Sequence, residues 1–228
     1  MGGGWGGYSQ VKATLCLLRE ALRTGEYDYY WLISGQDFLL KPIKWIIETL
    51  ETFSSLNYID CFYGEAFEKR CQLYYPKWMI GRSFRAKICR KLWVKLTGGE
   101  KWTFPVMARK HQPVSKYYAG SSWWCMSGEF IRWAVQYLEV HPEYEKYFRN
   151  AICPDEEFFQ TLFMISPFKN KKAAPVCYVD WSNLQNSPRI LEEKDLEILQ
   201  SSGKWIARKF DFNVDYGVIE KLEGLIRK

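Results

Sequence analysis

Apolar positions recur at helical spacing over residues 11–22 (VKATLCLLREAL), which predicts an amphipathic helix that Thr24-Gly25 can end. Residues 27–34 (YDYYWLIS) are an unbroken aromatic and aliphatic run of strand length that stops at Gly35. Pro42 can open a helix over 43–53, and 57–63 (NYIDCFY) reads as a second strand. Helix, strand, helix, strand in succession predicts an α/β layer fold with parallel strands. Such a domain usually opens on a strand, and here a helix comes first. Residues 65–112 show no clean period beyond a helix over 84–96 and a loop around 97–99. Further on, 117–127 (YYAGSSWWCMS) predicts a strand interrupted by small residues, followed by a helix over 129–138. Another helix should begin after Pro154, with Asp155 and Glu156 in its first turn, where the helix dipole favours carboxylates. A short strand at 176–181 and helices at 191–200 and 214–226 close the chain, which contains no internal repeat.

Composition narrows the class. With 228 residues, 47% apolar and 25% charged, the chain is an ordinary globular protein with length for one sizeable domain. The 18% aromatic content, from 11 Trp, 15 Tyr and 14 Phe, supplies flat apolar faces suited to a core and to stacking on sugars or bases. A net charge of +6 fits a site for anionic groups or contact with anionic lipid, and does not demand nucleic acid. The basic clusters at 82–90 and 169–172 read as solvated faces. Seven widely spaced cysteines without a CxxC argue against a zinc site or a dense disulfide framework. They favour buried thiols in a reducing compartment, with a luminal protein of two or three bridges as the alternative. No run approaches the length of a membrane span and no basic-then-apolar leader is seen, so the chain is expected neither to span a membrane nor to carry its own signal.

The candidate chemistry starts with exclusions. His111 and His141 are the two histidines, and there is no HExxH, GxSxG, GxxxxGK[ST] or strand-linked GxGxxG; the glycine run at 1–7 lacks a preceding strand. Four segments remain. Ser34-Gly35-Gln36-Asp37 follows an apolar strand, where ligands of α/β sheets bind, although Asp is also good turn chemistry. Gly120-Ser121-Ser122-Trp123-Trp124 sets small residues beside paired indoles, a shelf for a sugar ring. Consecutive strand residues face opposite ways, so one of the two Trp should fill the core. Cys153-Pro154-Asp155-Glu156-Glu157 concentrates carboxylates, any of which could serve as a general base if an apolar wall raised its pKa. Arg189 and Lys209 lie in SPRILEEKDL and ARKFD, and each alone would pass for a surface residue.

In order, WGGYSQVKATL, YDYYWLISGQDF, YYAGSSWWCMSGEF, PDEEFFQTLF and YVDW…SPRILEEKDLEIL…WIARKFD resemble the core-2/I-branching enzyme family, which includes the peptide O-xylosyltransferases. The resemblance covers nearly the whole chain. It implies a GT-A-like fold and an inverting, metal-independent glycosyltransferase that moves N-acetylglucosamine or xylose from a UDP-sugar to a glycan or glycoprotein acceptor. Carried over by motif, Glu156 is the base that deprotonates the acceptor hydroxyl, with Glu157 as the alternative. Arg189 and Lys209 match the two cations that stand in for a metal at the donor diphosphate, and no DxD motif is present. Asp37, Glu65, Trp123, Trp124 and Trp181 are the expected sugar contacts. No cofactor or metal is expected.

Family members carry a further segment ahead of WGGYSQVKA, with the first strands of the nucleotide-binding half. The chain is therefore expected to be an amino-terminally truncated single domain of weak or no activity, the alternative being a carbohydrate-binding module descended from such an enzyme. No nucleic-acid partner is expected. The expected location is cytoplasmic or peripheral on a membrane for a bacterial protein, and the Golgi lumen for a eukaryotic one.

Overall fold

The computed structural model describes residues 6–73, 83–96, 109, 111–183 and 187–227. In chain order its elements begin with α1 (Ser9–Thr24), β1 (Tyr29–Trp31), β2 (Asp37–Leu39), α2 (Ile43–Thr52), β3 (Asn57–Ile59), α3 (Glu65–Cys71) and α4 (Phe84–Leu96). They continue with β4 (Trp124–Ser127), α5 (Gly128–Val140), α6 (Pro142–Phe148), α7 (Phe158–Ile165), β5 (Lys172–Ala173) and β6 (Cys177–Val179). The last are α8 (Leu196–Ser201), β7 (Ile206–Arg208) and α9 (Gly217–Ile226). The chain gathers into two compact units. One comprises Met1–Tyr30, Asp60–Ser122 and Gly128–Asn170, the other Trp31–Ile59, Trp123–Ser127 and Lys171–Lys228.

The first unit is helical because its apolar residues fall on helical stripes. Val11, Leu15 and Leu18 form the buried face of α1, and Phe130, Ile131, Ala134, Val135 and Leu138 that of α5. Pro142 starts α6, where a missing N–H costs nothing. Helix α7 is buried from Phe158 through Phe163, and its two polar residues there are hydrogen-bonded, Gln160 to the Ser121 carbonyl and Thr161 to the Tyr118 backbone. Aromatic rings fill the space between: Tyr117 stacks on Tyr147 with centroids 5.6 Å apart, and Tyr144 and Phe148 meet Phe158 edge-on.

The second unit holds the three-stranded sheet, in the order β2-β7-β6, and strands β3, β4 and β5 of a four-stranded sheet in the order β1-β4-β3-β5. Leu191, Leu199, Ala207, Phe210, Val218, Ile219 and Leu222 form one core cluster, joined by Phe38 and Tyr178. The Trp205 ring lies among Trp31, Trp45 and Tyr58, 4.5 Å from Tyr58 by ring centroid. Asn57 is fully buried in β3 and its Oδ1 accepts hydrogen bonds from the Ser127 amide (3.0 Å) and hydroxyl (3.2 Å). Removing it takes away a buried acceptor of two hydrogen bonds, so Asn57→Ala should cost about 1–3 kcal/mol in urea unfolding. An unchanged midpoint would show that the pair is not stabilising.

The strands depart from the expected parallel arrangement. β3 runs antiparallel to β4 and parallel to β5, while β7 runs antiparallel to β2 and parallel to β6. Alternating helices and strands imply parallel pairing only where successive strands become neighbours, and here β4 lies between β1 and β3. The expected strand at 117–127 shrinks to β4, because Gly120, Ser121 and Ser122 leave the ladder after an isolated bridge between Phe62 and Ala119. The helix expected after Pro154 is a 3-10 turn, Pro154–Glu156, that breaks at Glu157 before α7 begins. The helix expected at 191–200 starts later, behind a Glu192/Asp195 capping box, and that at 214–226 starts at Gly217. The helices expected at 11–22, 43–53, 84–96 and 129–138 are present within a few residues. Strands β2, β5 and β7 and helices α3 and α6 were not expected. The loop around 97–99 and residues 1–5 of the glycine run lie outside the described residues.

Candidate active site

In the first unit the acidic segment is built by its backbone. Cys153 adopts a left-handed conformation (φ 47°), unusual for a residue with a side chain, and its amide donates to the Gly6 carbonyl at 2.9 Å. This turns the chain into Pro154, whose fixed φ starts the 3-10 turn. The Glu156 carbonyl accepts the Gly120 amide at 2.9 Å, and the Ser122 hydroxyl donates to Asp155 Oδ2 at 2.8 Å. The segment is thereby stitched to residues 120–122, the small residues singled out beside the paired Trp.

The three carboxylates then diverge. The Glu157 side chain is 0% exposed, whereas that of Glu156 is 42% exposed. Arg70, on α3, reaches both: Nε donates to Glu157 Oε1 at 2.7 Å and Nη2 to Glu156 Oε2 at 3.0 Å. The Cys71 thiol donates to the other Glu157 oxygen. Burial pushes the Glu157 carboxyl up to about 7 against the lowering influence of Arg70. Burial also raises Glu156 above the ordinary carboxylate range, with Arg70 opposing and Asp155 adding to the rise. Glu156 is therefore an accessible carboxylate with enhanced basicity, and Glu157 is enclosed. Glu65, at the start of α3, is exposed and paired with Lys69 at 2.7 Å.

In the second unit, Asp37 closes its own turn. Its Oδ2 accepts the Ser34 amide at 2.7 Å and its Oδ1 the Ser34 hydroxyl at 3.0 Å, and its side chain is 3% exposed. Across the ladder from it stands Arg208, whose Nε lies 3.6 Å from Asp37 Oδ1, beyond hydrogen-bond distance. The Arg208 guanidinium lies 3.9 Å from the Trp123 ring, and its buried Nε and Nη1 have no hydrogen-bond partner among the described residues. Burial lowers its pKa, countered by Asp37. Trp124 is 1% exposed and fills the core, as expected of one of the pair, so its face is closed to a sugar; Trp123, just ahead of β4, is half-buried. Trp181 is exposed.

The two expected cations differ sharply. Arg189 is held by Asp180 through Nε (2.9 Å) and Nη2 (2.7 Å) and by Asp195 through Nη1 and Nη2 (both 2.8 Å). Hydrogen bonds from Ser182, with Arg189 beside it, take Asp180 down to about 2, and Arg189 lowers Asp195. A guanidinium between two carboxylates presents no net positive charge. Lys209 is half-buried, its carbonyl accepts the Leu191 amide at 2.8 Å, and its ammonium has no partner among the described residues.

Of the residues chosen from the sequence, the structure thus brings Glu156 and Glu157 together through Arg70, and Asp37 and Trp123 together through Arg208. Neither arginine was anticipated. Arg208 immediately precedes Lys209 in a motif already singled out, so its position carried a usable signal. Arg70 has none, lying 86 residues from Glu156 in a stretch without clear period.

Residues 3–201 match the family model of the Core-2/I-Branching enzyme, and the chain belongs to that family, a family of glycosyltransferases with sugar donors and acceptors as partners. No curated protein matches the chain.

Proposed function

We propose that the protein is an inverting, metal-independent glycosyltransferase of the GT-A type, with Glu156 as general base. The donor is a UDP-sugar, N-acetylglucosamine or xylose, and the acceptor a glycan or glycoprotein hydroxyl. The observation that carries this reading is the Glu156 carboxylate itself, accessible, raised by burial and anchored through one oxygen while the other is unengaged among the described residues. That oxygen takes the acceptor proton as the hydroxyl attacks the anomeric carbon, and UDP departs. Lys209 and Arg208 meet the charge developing on the diphosphate, since among the described residues the Lys209 ammonium has no partner and two buried Arg208 N–H groups have no acceptor. Arg189 links Asp180 to Asp195.

Calorimetric titration of the full chain with UDP tests this assignment. Lys209→Ala and Arg208→Ala should each weaken binding about 10- to 100-fold, from the loss of a charge-assisted hydrogen bond. EDTA should change nothing. Binding that needs added magnesium would overturn metal independence. A folded chain that binds oligosaccharide but no UDP would replace the transferase reading with that of a carbohydrate-binding module.

A further inference from the structure

Nothing in the resemblance gives Arg70 a role, yet its guanidinium touches both glutamates. Its Nε and Nη2 fork onto Glu157 Oε1 at 2.7 and 2.6 Å, and Nη2 also reaches Glu156 Oε2 at 3.0 Å. Its charged end lies 4.9 Å from the Phe67 ring, and its side chain is 22% exposed. Glu157 is itself fixed from the far side by the Cys71 thiol, so the arginine is braced from the core outward. We infer that Arg70 is a positioning residue for Glu156, tying down one carboxylate oxygen so that the other faces the acceptor hydroxyl. The inference rests on the reading of Glu156 as the base.

An arginine beside a base orients it but also weakens it, because a nearby cation favours the carboxylate. Two features limit that loss here. Glu157 shares the positive charge, and burial of Glu156 outweighs Arg70, leaving Glu156 above its ordinary range. Burial bears against the charge of Arg70 as well, but Glu157 and Glu156 hold its pKa above the ordinary guanidinium range, so the cation persists at all working pH. The other titratable groups around the cluster are Asp155 and Cys153 on the same segment, Cys71 on α3, Tyr144 and Tyr147 on α6, Tyr117 and Arg109. Among the described residues, Arg70 is the cation acting on Glu156.

The test is a carbon-13 NMR titration of the full chain labelled at glutamate Cδ, with the Glu156 resonance assigned by its loss in Glu156→Gln. Arg70→Met should raise the Glu156 midpoint by at least about one pH unit, the smaller end of what a paired arginine does to a carboxylate. Arg70→Lys keeps a cation against Glu157 but cannot fork to both carboxylates. It should raise the midpoint in the same direction by less, and it serves where Arg70→Met does not fold. An unmoved or lowered midpoint in a folded variant would overturn the inference. In parallel, turnover of UDP-N-acetylglucosamine and UDP-xylose should show kcat falling at least about tenfold in Arg70→Lys with donor KM little changed. If the wild-type chain turns over neither donor, the transferase reading fails while the titration still decides what Arg70 does to Glu156.

Discussion

Glu156→Gln is expected to lower kcat for sugar transfer by about 10²–10⁴-fold, the usual contribution of a positioned general base, with acceptor KM little changed. Glutamine is isosteric, and its amide oxygen can still accept from Arg70 Nη2, which lies 3.0 Å from Oε2 in the native chain. The segment is also held through backbone, by the Gly120 amide on the Glu156 carbonyl and the Cys153 amide on the Gly6 carbonyl, and neither contact involves the replaced group. What disappears is the oxygen that takes the proton. In the native enzyme the raised pKa of Glu156 has a sign: its carboxylate is lost on acidification sooner than that of an ordinary glutamate, so activity should rise with pH through an elevated midpoint and then level off. The variant should lack that limb. Steady-state kinetics against pH with UDP-sugar and acceptor would measure both effects, and retention of more than about a tenth of wild-type kcat would exclude Glu156 as the base. Glu157→Gln is the informative companion, because a side chain 0% exposed does not meet an acceptor, and a loss there must pass through its partners Arg70 and Cys71.

The parts of the molecule legible in the sequence are those specified by short-range pattern. The stripe Val11, Leu15, Leu18 is a local statement about one helix face, and the structure agrees with it. One of the paired Trp does fill the core, Trp124, but alternation could not name it: Trp123 lies just ahead of β4, and all four residues of β4 are buried. Strands β2 and β7 have three residues each, DFL and IAR, too short to display a period, and their pairing is a long-range fact. Sheet order escaped for the same reason: no feature of NYI or WCMS records that these strands lie side by side. At the candidate site, the motif carried Glu156 and Glu157 but could not distinguish them, since burial separates the two and burial is not a property of adjacent letters. Arg189 shows the converse. A basic residue in a motif looks like a free cation until Asp180 and Asp195 are seen on either side of it.

Gly120→Ala should be the most damaging of the small substitutions, costing at least about 3 kcal/mol, the upper end for overpacking. A Cβ at this position would stand 1.9 Å from the Asp60 carbonyl oxygen and 2.5 Å from its carbon, and backbone, unlike the end of a flexible side chain, cannot swing aside. Nor can residues 120–122 retreat easily. The Gly120 amide is bonded to Glu156, the Ser121 amide to Asp60 Oδ2 at 2.9 Å, the Ser121 carbonyl to Gln160 Nε2 at 2.7 Å and the Ser122 hydroxyl to Asp155. Relief of the clash must break some of these bonds, and each of them helps to place the segment that carries the base. The expected result is a fall in thermal midpoint of roughly 6–12 °C, at about 2–4 °C per kcal/mol, together with a loss of kcat in the surviving folded fraction, since small misplacement of a catalytic group is costly. Gly224→Ala supplies the contrast. It lies in α9 with nothing within 4 Å of the added atom, and should stabilise by about 0.5–1 kcal/mol from helix propensity alone. Should Gly120→Ala melt like the wild type, the close approach to Asp60 would be wrong, and with it the account of how the backbone holds Glu156. Stability and catalysis share one contact at Gly120, so a single substitution there reports on both.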